Sequence, residues 1–171
     1  MASLDTLTKN LVKKEITENN PNVFKNVSSE FNDDEQLQLL KRKGVFLYHY
    51  LDSFNRFKET SLPNKEMFYN RLCNSNVTQE EFDHAINVWN KFNIKTFGDY
   101  HDIYLKTDVL LLADIFENFR KLHMNYYKLD PVHYFGTPGI ALDACLKMSG
   151  QWLELITNPD KHLFVERAQR G

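Results

Sequence analysis

A chain of 171 residues with 42% hydrophobic and 13% aromatic content can build one medium-sized core, and that composition excludes a disordered chain. A formal charge of −2 supplies no global field for nucleic acid or an anionic membrane, so any such contact must come from a local patch. Cys73 and Cys145 stand far apart without a CxxC or Cys/His cluster, which excludes a zinc site or a disulfide framework and points to a reducing compartment.

The N-terminus lacks a signal-like apolar core, and no run reaches the roughly 20 apolar residues of a membrane span. The expectation is a soluble intracellular protein with no membrane partner.

In chain order, Ser3 is a candidate N-cap for a short helix to about Leu11, with Leu4, Leu7 and Leu11 on one side. Thr17–Glu35 is rich in Asn, Ser and Asp, contains Pro21, and reads as a loop with at most one turn. Asp33 or Asp34 opens a helix carrying Leu37, Leu39 and Leu40, with basic residues at 41–43 and Gly44 as its C′ stop. Val45–Leu51, aromatic and β-branched, predicts a short strand or an extended segment, and Asn64–Leu72 a short helix. Thr78 and Glu81 form a capping-box pair before an amphipathic helix to about Lys91.

Asp99–Tyr127 runs without Gly or Pro. Leu105, Val109, Leu112, Phe116, Phe119 and Tyr126 recur at the spacing of one buried face, and the all-apolar stretch Val109–Ala113 predicts burial on more than one side. Leu129-Asp130-Pro131 ends this helix. Thr137-Pro138 starts another, with Gly150 beyond its end; Gln151–Ile156 predicts a second strand, and Asn158-Pro159-Asp160 opens a last helix.

Tyr104 and Asp108 are an i, i+4 pair on the long helix. A carboxylate on an apolar line is costly unless it is paired, hydrogen-bonded or metal-bound. A tyrosine beside a carboxylate suits two-metal phosphoryl hydrolysis, the carboxylate holding a divalent ion and the hydroxyl orienting water. A Tyr–Asp hydrogen bond, or an Asp capping a neighbouring loop, is the more ordinary reading of the same spacing. Asp99, His101, Asp102 and Asp114 lie nearby, but only His101 shares the side of Asp108, and these acids read as solvated or helix-start charges. Lys41, Arg42 and Lys43 followed by Phe46, Tyr48 and Tyr50 form the kind of surface that can hold single-stranded nucleic acid, or simply a helix end followed by core. His49, His84, His123 and His133 are isolated. No GxSxG, P-loop, GxGxxG or HExxH occurs.

The run from Tyr104 through Asp108 to Arg120 resembles the third exonuclease motif, Tyr-x-x-x-Asp, of family B DNA polymerases, in particular the protein-primed group of Maverick/Polinton-type mobile elements and related viruses. Four further segments follow the family in order. Ser3–Leu11 resembles the stretch after its second exonuclease motif, and Lys43-Gly-Val-Phe-Leu-Tyr48 its Lys-Gly-x-Phe-Pro-Tyr segment, with Leu47 in place of the proline. Leu129–Tyr134 and then Thr137–Met148 resemble the approach to the polymerase palm.

The resemblance implies an α+β, mostly helical chain: part of a ribonuclease-H-like 3′–5′ exonuclease domain over 1–128 and the start of the palm region over 129–171. It implies that Tyr104 and Asp108 are catalytic, that Asp108 is a ligand to Mg²⁺ in the complete enzyme, and that Arg170 and Gly171 contact template DNA. The implied partners are template and primer DNA, deoxynucleoside triphosphates and a terminal protein primer. The Asp-x-Glu motif, the second exonuclease aspartate and both palm motifs are not in this sequence. The resemblance therefore implies an inactive part of a DNA-directed DNA polymerase. The alternative is a helical interaction protein, a mobile-element remnant without chemistry.

Overall fold

The computed structural model describes residues 3–19, 21–71 and 74–169. The chain is mostly helical and divides into two compact units, Met1–Phe119 and Arg120–Gly171. No helix among the described residues is long and apolar enough to cross a membrane.

Each helix start has a local cause. Helix α1 (Leu4–Glu18) begins where Ser3 Oγ accepts from Thr6 N, and it outruns its predicted end at Leu11 by two turns. Helix α2 (Lys25–Glu30) lies in the predicted loop, preceded by a 3₁₀ turn at Pro21–Phe24. Helix α3 (Asp34–Leu40) is capped by Asp33, which accepts from Glu35 N at 2.8 Å and Gln36 N at 3.3 Å. Helix α4 (Gln79–Lys91) carries the predicted capping box: Glu81 N donates to Thr78 Oγ1, and Thr78 N to Glu81 Oε2 at 2.8 Å. Of Asn64–Leu72, expected as a helix, the described residues hold only a 3₁₀ turn at Lys65–Phe68, and Leu72 lies outside them.

The long helix, α5 (Phe97–Tyr127), forms as predicted, but its core face differs from the expectation. Phe97, Tyr100, Tyr104, Thr107, Leu111 and Asp114 are buried, whereas Leu105, Val109, Leu112, Phe116 and Phe119 are exposed. Val109 and Leu112 are 58% and 57% exposed, so the Val109–Ala113 stretch is covered on one side only. Both lines have the same 3–4 spacing, and the apolar one is the open one. The polar one can be buried because its polar atoms are satisfied within the fold. Thr107 Oγ1 donates to Ile103 O at 2.7 Å, and Asp114 caps another helix.

Two clusters fill the first unit. One gathers Leu47, Phe68, Ala85, Val88, Phe97 and Tyr100; the other gathers Leu11, Phe24, Val27, Leu40 and Leu111. Fully buried Phe24 and Phe97 each remove a whole aromatic side chain from water, about 2–3 kcal/mol apiece.

Neither predicted strand forms. Among the described residues the only β pairing is an isolated bridge, Asn70 with Ser75. A strand needs a neighbour to satisfy its ladder. The residues from Val45 turn instead at Leu47 and lay their rings on α5, with Tyr100 Oη donating to Val45 O at 2.6 Å. Residues 151–156 are exposed along their whole length. The expected sheet-containing part of a ribonuclease-H-like fold is therefore not seen; the mostly helical expectation holds.

In the second unit, Arg120 clamps Asp130 through Nε at 2.9 Å and Nη2 at 2.5 Å, and Asp130 Oδ1 also accepts from Val132 N. These bonds hold the Asp130 carboxyl down to about 2. Helix α6 (Thr137–Ser149) ends at Gly150, whose φ of 64° is the left-handed cap expected of glycine. Helix α7 (Pro159–Gln169) starts where Asn158 Oδ1 accepts from Asp160 N and Lys161 N.

Candidate functional site

Tyr104 lies on the buried line of α5 and is 9% exposed. The segment from Gly44 to Tyr48 wraps its ring. A Cβ on Gly44 would come 2.7 Å from Tyr104 Cδ2. The Phe46 ring stacks on it, centroids 4.7 Å apart and planes inclined by 20°. The Tyr48 hydroxyl forms a hydrogen bond with the Tyr104 hydroxyl. Gly44 was expected as the C′ stop of α3, but that helix ends at Leu40 with Lys41 as its C-cap, and Gly44 instead allows close approach of the Tyr104 ring.

Burial first, then the Tyr48 hydroxyl and the neighbouring Asp108 carboxylate, hold the Tyr104 hydroxyl well above the ordinary tyrosine range. It is a neutral hydrogen-bonding group at any physiological pH. Asp108, one turn on, has a buried Oδ1 with no hydrogen-bond partner. A native fold seldom leaves a carboxylate oxygen in that state without a reason.

The other acids near this pair have different uses. Asp99 accepts from Thr96 N at 3.0 Å, a helix-start role as expected. His101 Nδ1 pairs with Asp102 at 3.0 Å, and its ring packs edge-on to Phe46 and Phe57. Asp114, expected among the solvated acids, is instead 1% exposed. Its Oδ1 accepts from Asn26 N at 2.8 Å and Asn26 Nδ2 at 2.9 Å, and its Oδ2 from Val27 N at 3.0 Å. It caps α2, whose own N-cap residue, Phe24, has no side-chain acceptor. No spacing rule links residues 26 and 114, so this role had no signal in the sequence.

A cleft of about 340 Å³ opens beside Tyr104. Lys9 reaches it from α1; Arg42, Lys43, Phe46 and Tyr48 line one side, and Asn76 comes from the loop before α4. Asp5 and Glu81 are also in its wall. Lys9 pairs with Asp5 at 2.8 Å and Arg42 with Glu80 at 3.4 Å, while half-buried Lys43 has no carboxylate partner among the described residues. The basic run thus splits in three. Lys41 points elsewhere, bonded to Glu15 at 2.6 Å with its ammonium over the Phe24 ring. Lys9 was missed in the sequence because its place at the cleft depends on how α1 packs.

No family model, curated protein or solved structure matches this chain. Function must be argued from the residues and their geometry.

For a divalent metal, Asp108 offers one suitable oxygen, but no group of three or more His, Cys, Asp or Glu side chains is placed to hold an ion among the described residues. Asp108 alone makes no metal site among the described residues. Arg170 and Gly171, expected at template DNA, lie outside the described residues.

Proposed function

We propose that the first unit is one wall of a 3′–5′ exonuclease site in a family B DNA polymerase, and that this chain alone neither polymerises nor hydrolyses. The observation that carries the reading is the meeting of two segments 56 residues apart in sequence, Tyr48 touching Tyr104 through their hydroxyls. Both segments resemble that family, one its Lys-Gly-x-Phe-Pro-Tyr segment and the other its third exonuclease motif. The cleft they line has aromatic faces and an unpaired ammonium, the combination that holds a single-stranded end without reading its sequence.

Two further features support it. Asp108 Oδ1 is buried and unpartnered one turn beyond Tyr104, as expected of a ligand whose metal and fellow carboxylates come from outside this sequence. The apolar line of α5 lies open, as expected of a helix whose covering layer is likewise elsewhere. In a completed site Mg²⁺ would polarise the scissile phosphate and its attacking water. The neutral Tyr104 hydroxyl would hold a water or phosphate oxygen, and Lys43 would offset phosphate charge.

Fluorescence anisotropy with a labelled single-stranded DNA 12-mer at low salt tests the reading. We expect saturable binding that Lys43→Ala weakens, and an intact oligonucleotide after incubation with Mg²⁺. Absence of binding refutes the cleft assignment; Mg²⁺-dependent shortening that Asp108→Ala abolishes refutes the claim of inactivity.

A second reading, a helical interaction protein without chemistry, draws on the same exposed face of α5. It predicts no DNA binding and full function after Asp108→Leu.

A further inference from the structure

We propose that Gly44 and Phe46 are positioning residues for Tyr104, together setting where its hydroxyl sits in the cleft. The inference rests on the reading of that cleft as a strand-binding site. The Tyr104 ring is held from three directions. On its edge, an added Cβ at Gly44 would stand 2.7 Å from Cδ2 and 3.1 Å from Cε2, distances at which the ring or the chain at 44 must shift. On its face, Phe46 is stacked at 4.7 Å. At its tip, the hydroxyl meets that of Tyr48.

Phe46 cannot simply follow a displaced ring. It is itself stacked against Phe97 at 5.8 Å and Tyr100 at 6.4 Å, and both are buried residues of α5. On a helix the tyrosine χ1 has few allowed rotamers, so pressure from residue 44 moves the far end of the side chain most. The hydroxyl is therefore the atom most sensitive to what occupies positions 44 and 46. A glycine and an aromatic two residues apart, turned around one ring, explain why this segment needs both residue types without either donating a hydrogen bond to a ligand.

The test uses the full chain with 3-fluorotyrosine at its tyrosines. The ¹⁹F resonance of Tyr104 is assigned by its loss in Tyr104→Phe, and its chemical shift and linewidth are compared in wild type, Gly44→Ala, Phe46→Leu and Phe46→Tyr. Thermal melts accompany each variant. We expect the Tyr104 signal to shift in Gly44→Ala and Phe46→Leu, and to stay near its wild-type position in Phe46→Tyr, which keeps the stacked ring. The same two variants should weaken binding of the single-stranded 12-mer roughly fivefold or more. If Gly44→Ala does not fold, Phe46→Leu against Phe46→Tyr carries the comparison. An unchanged Tyr104 resonance in the folded Gly44→Ala and Phe46→Leu proteins overturns the inference. Shifted resonances in the two variants, with a wild-type chain that binds no DNA, support the positioning relation and refute the strand-binding reading instead.

Discussion

Asp108 and Asp114 lie on one helix in opposite circumstances, and each makes a prediction. Asp114 satisfies two backbone N–H groups and one side-chain amide of α2 from the core. Asp114→Ala leaves the buried Val27 N–H and the half-buried Asn26 donors unpaired, and should cost about 3 kcal/mol in urea unfolding, with α2 the first segment to lose hydrogen-exchange protection. Asp108 satisfies nothing with its buried Oδ1. Asp108→Asn should therefore leave stability unchanged or raise it by about 1 kcal/mol in the same assay. Substitutions at two acids on one helix thus move stability in different directions. Asp130 gives a pH-dependent case. Its folded value, held down to about 2 by Arg120, lies below the ordinary 3.8, so its contribution is present above about pH 4 and is lost as pH falls toward 2. A ¹³C carboxyl titration should place its midpoint near 2, and Arg120→Gln should return it toward the ordinary range.

At the scale of elements, what could be read from the sequence was what local chemistry decides. The capping box at Thr78, the stop at Gly150 and the unbroken long helix follow from residues close in sequence. The core face of α5 did not, because two lines of residues with the same spacing compete. The choice between them depends on Thr107 and Asp114 finding partners that only the folded chain supplies. The strand expected at Val45 failed for a related reason: its aromatic residues suit a sheet, but here they suit the ring of Tyr104 better. The consequence for α5 is measurable. Leu111 is fully buried and Leu112 is 57% exposed. Leu111→Ala should cost about 2–5 kcal/mol, whereas Leu112→Lys should be nearly neutral for stability and should lower binding of a hydrophobic dye. Equal destabilisation by the two changes would reverse the assignment of the faces.

For the whole molecule, the net charge of −2 means that attraction of DNA must be local. Three cations, Lys9, Arg42 and Lys43, line the cleft, and carboxylates partly neutralise the first two. Affinity for single strands should therefore fall with salt at a log–log slope of about −1 to −2, shallow beside that of a dedicated DNA-binding protein. The most direct measurement is photo-crosslinking of an oligonucleotide carrying 4-thiothymidine at its 3′ end, followed by mapping of the adducts by mass spectrometry. The cleft assignment predicts adducts concentrated on Lys43–Tyr48 and on the α5 peptide holding Tyr104, and lost when unlabelled single strand is added in excess. Adducts scattered over the surface, or confined to residues outside the cleft, would contradict it.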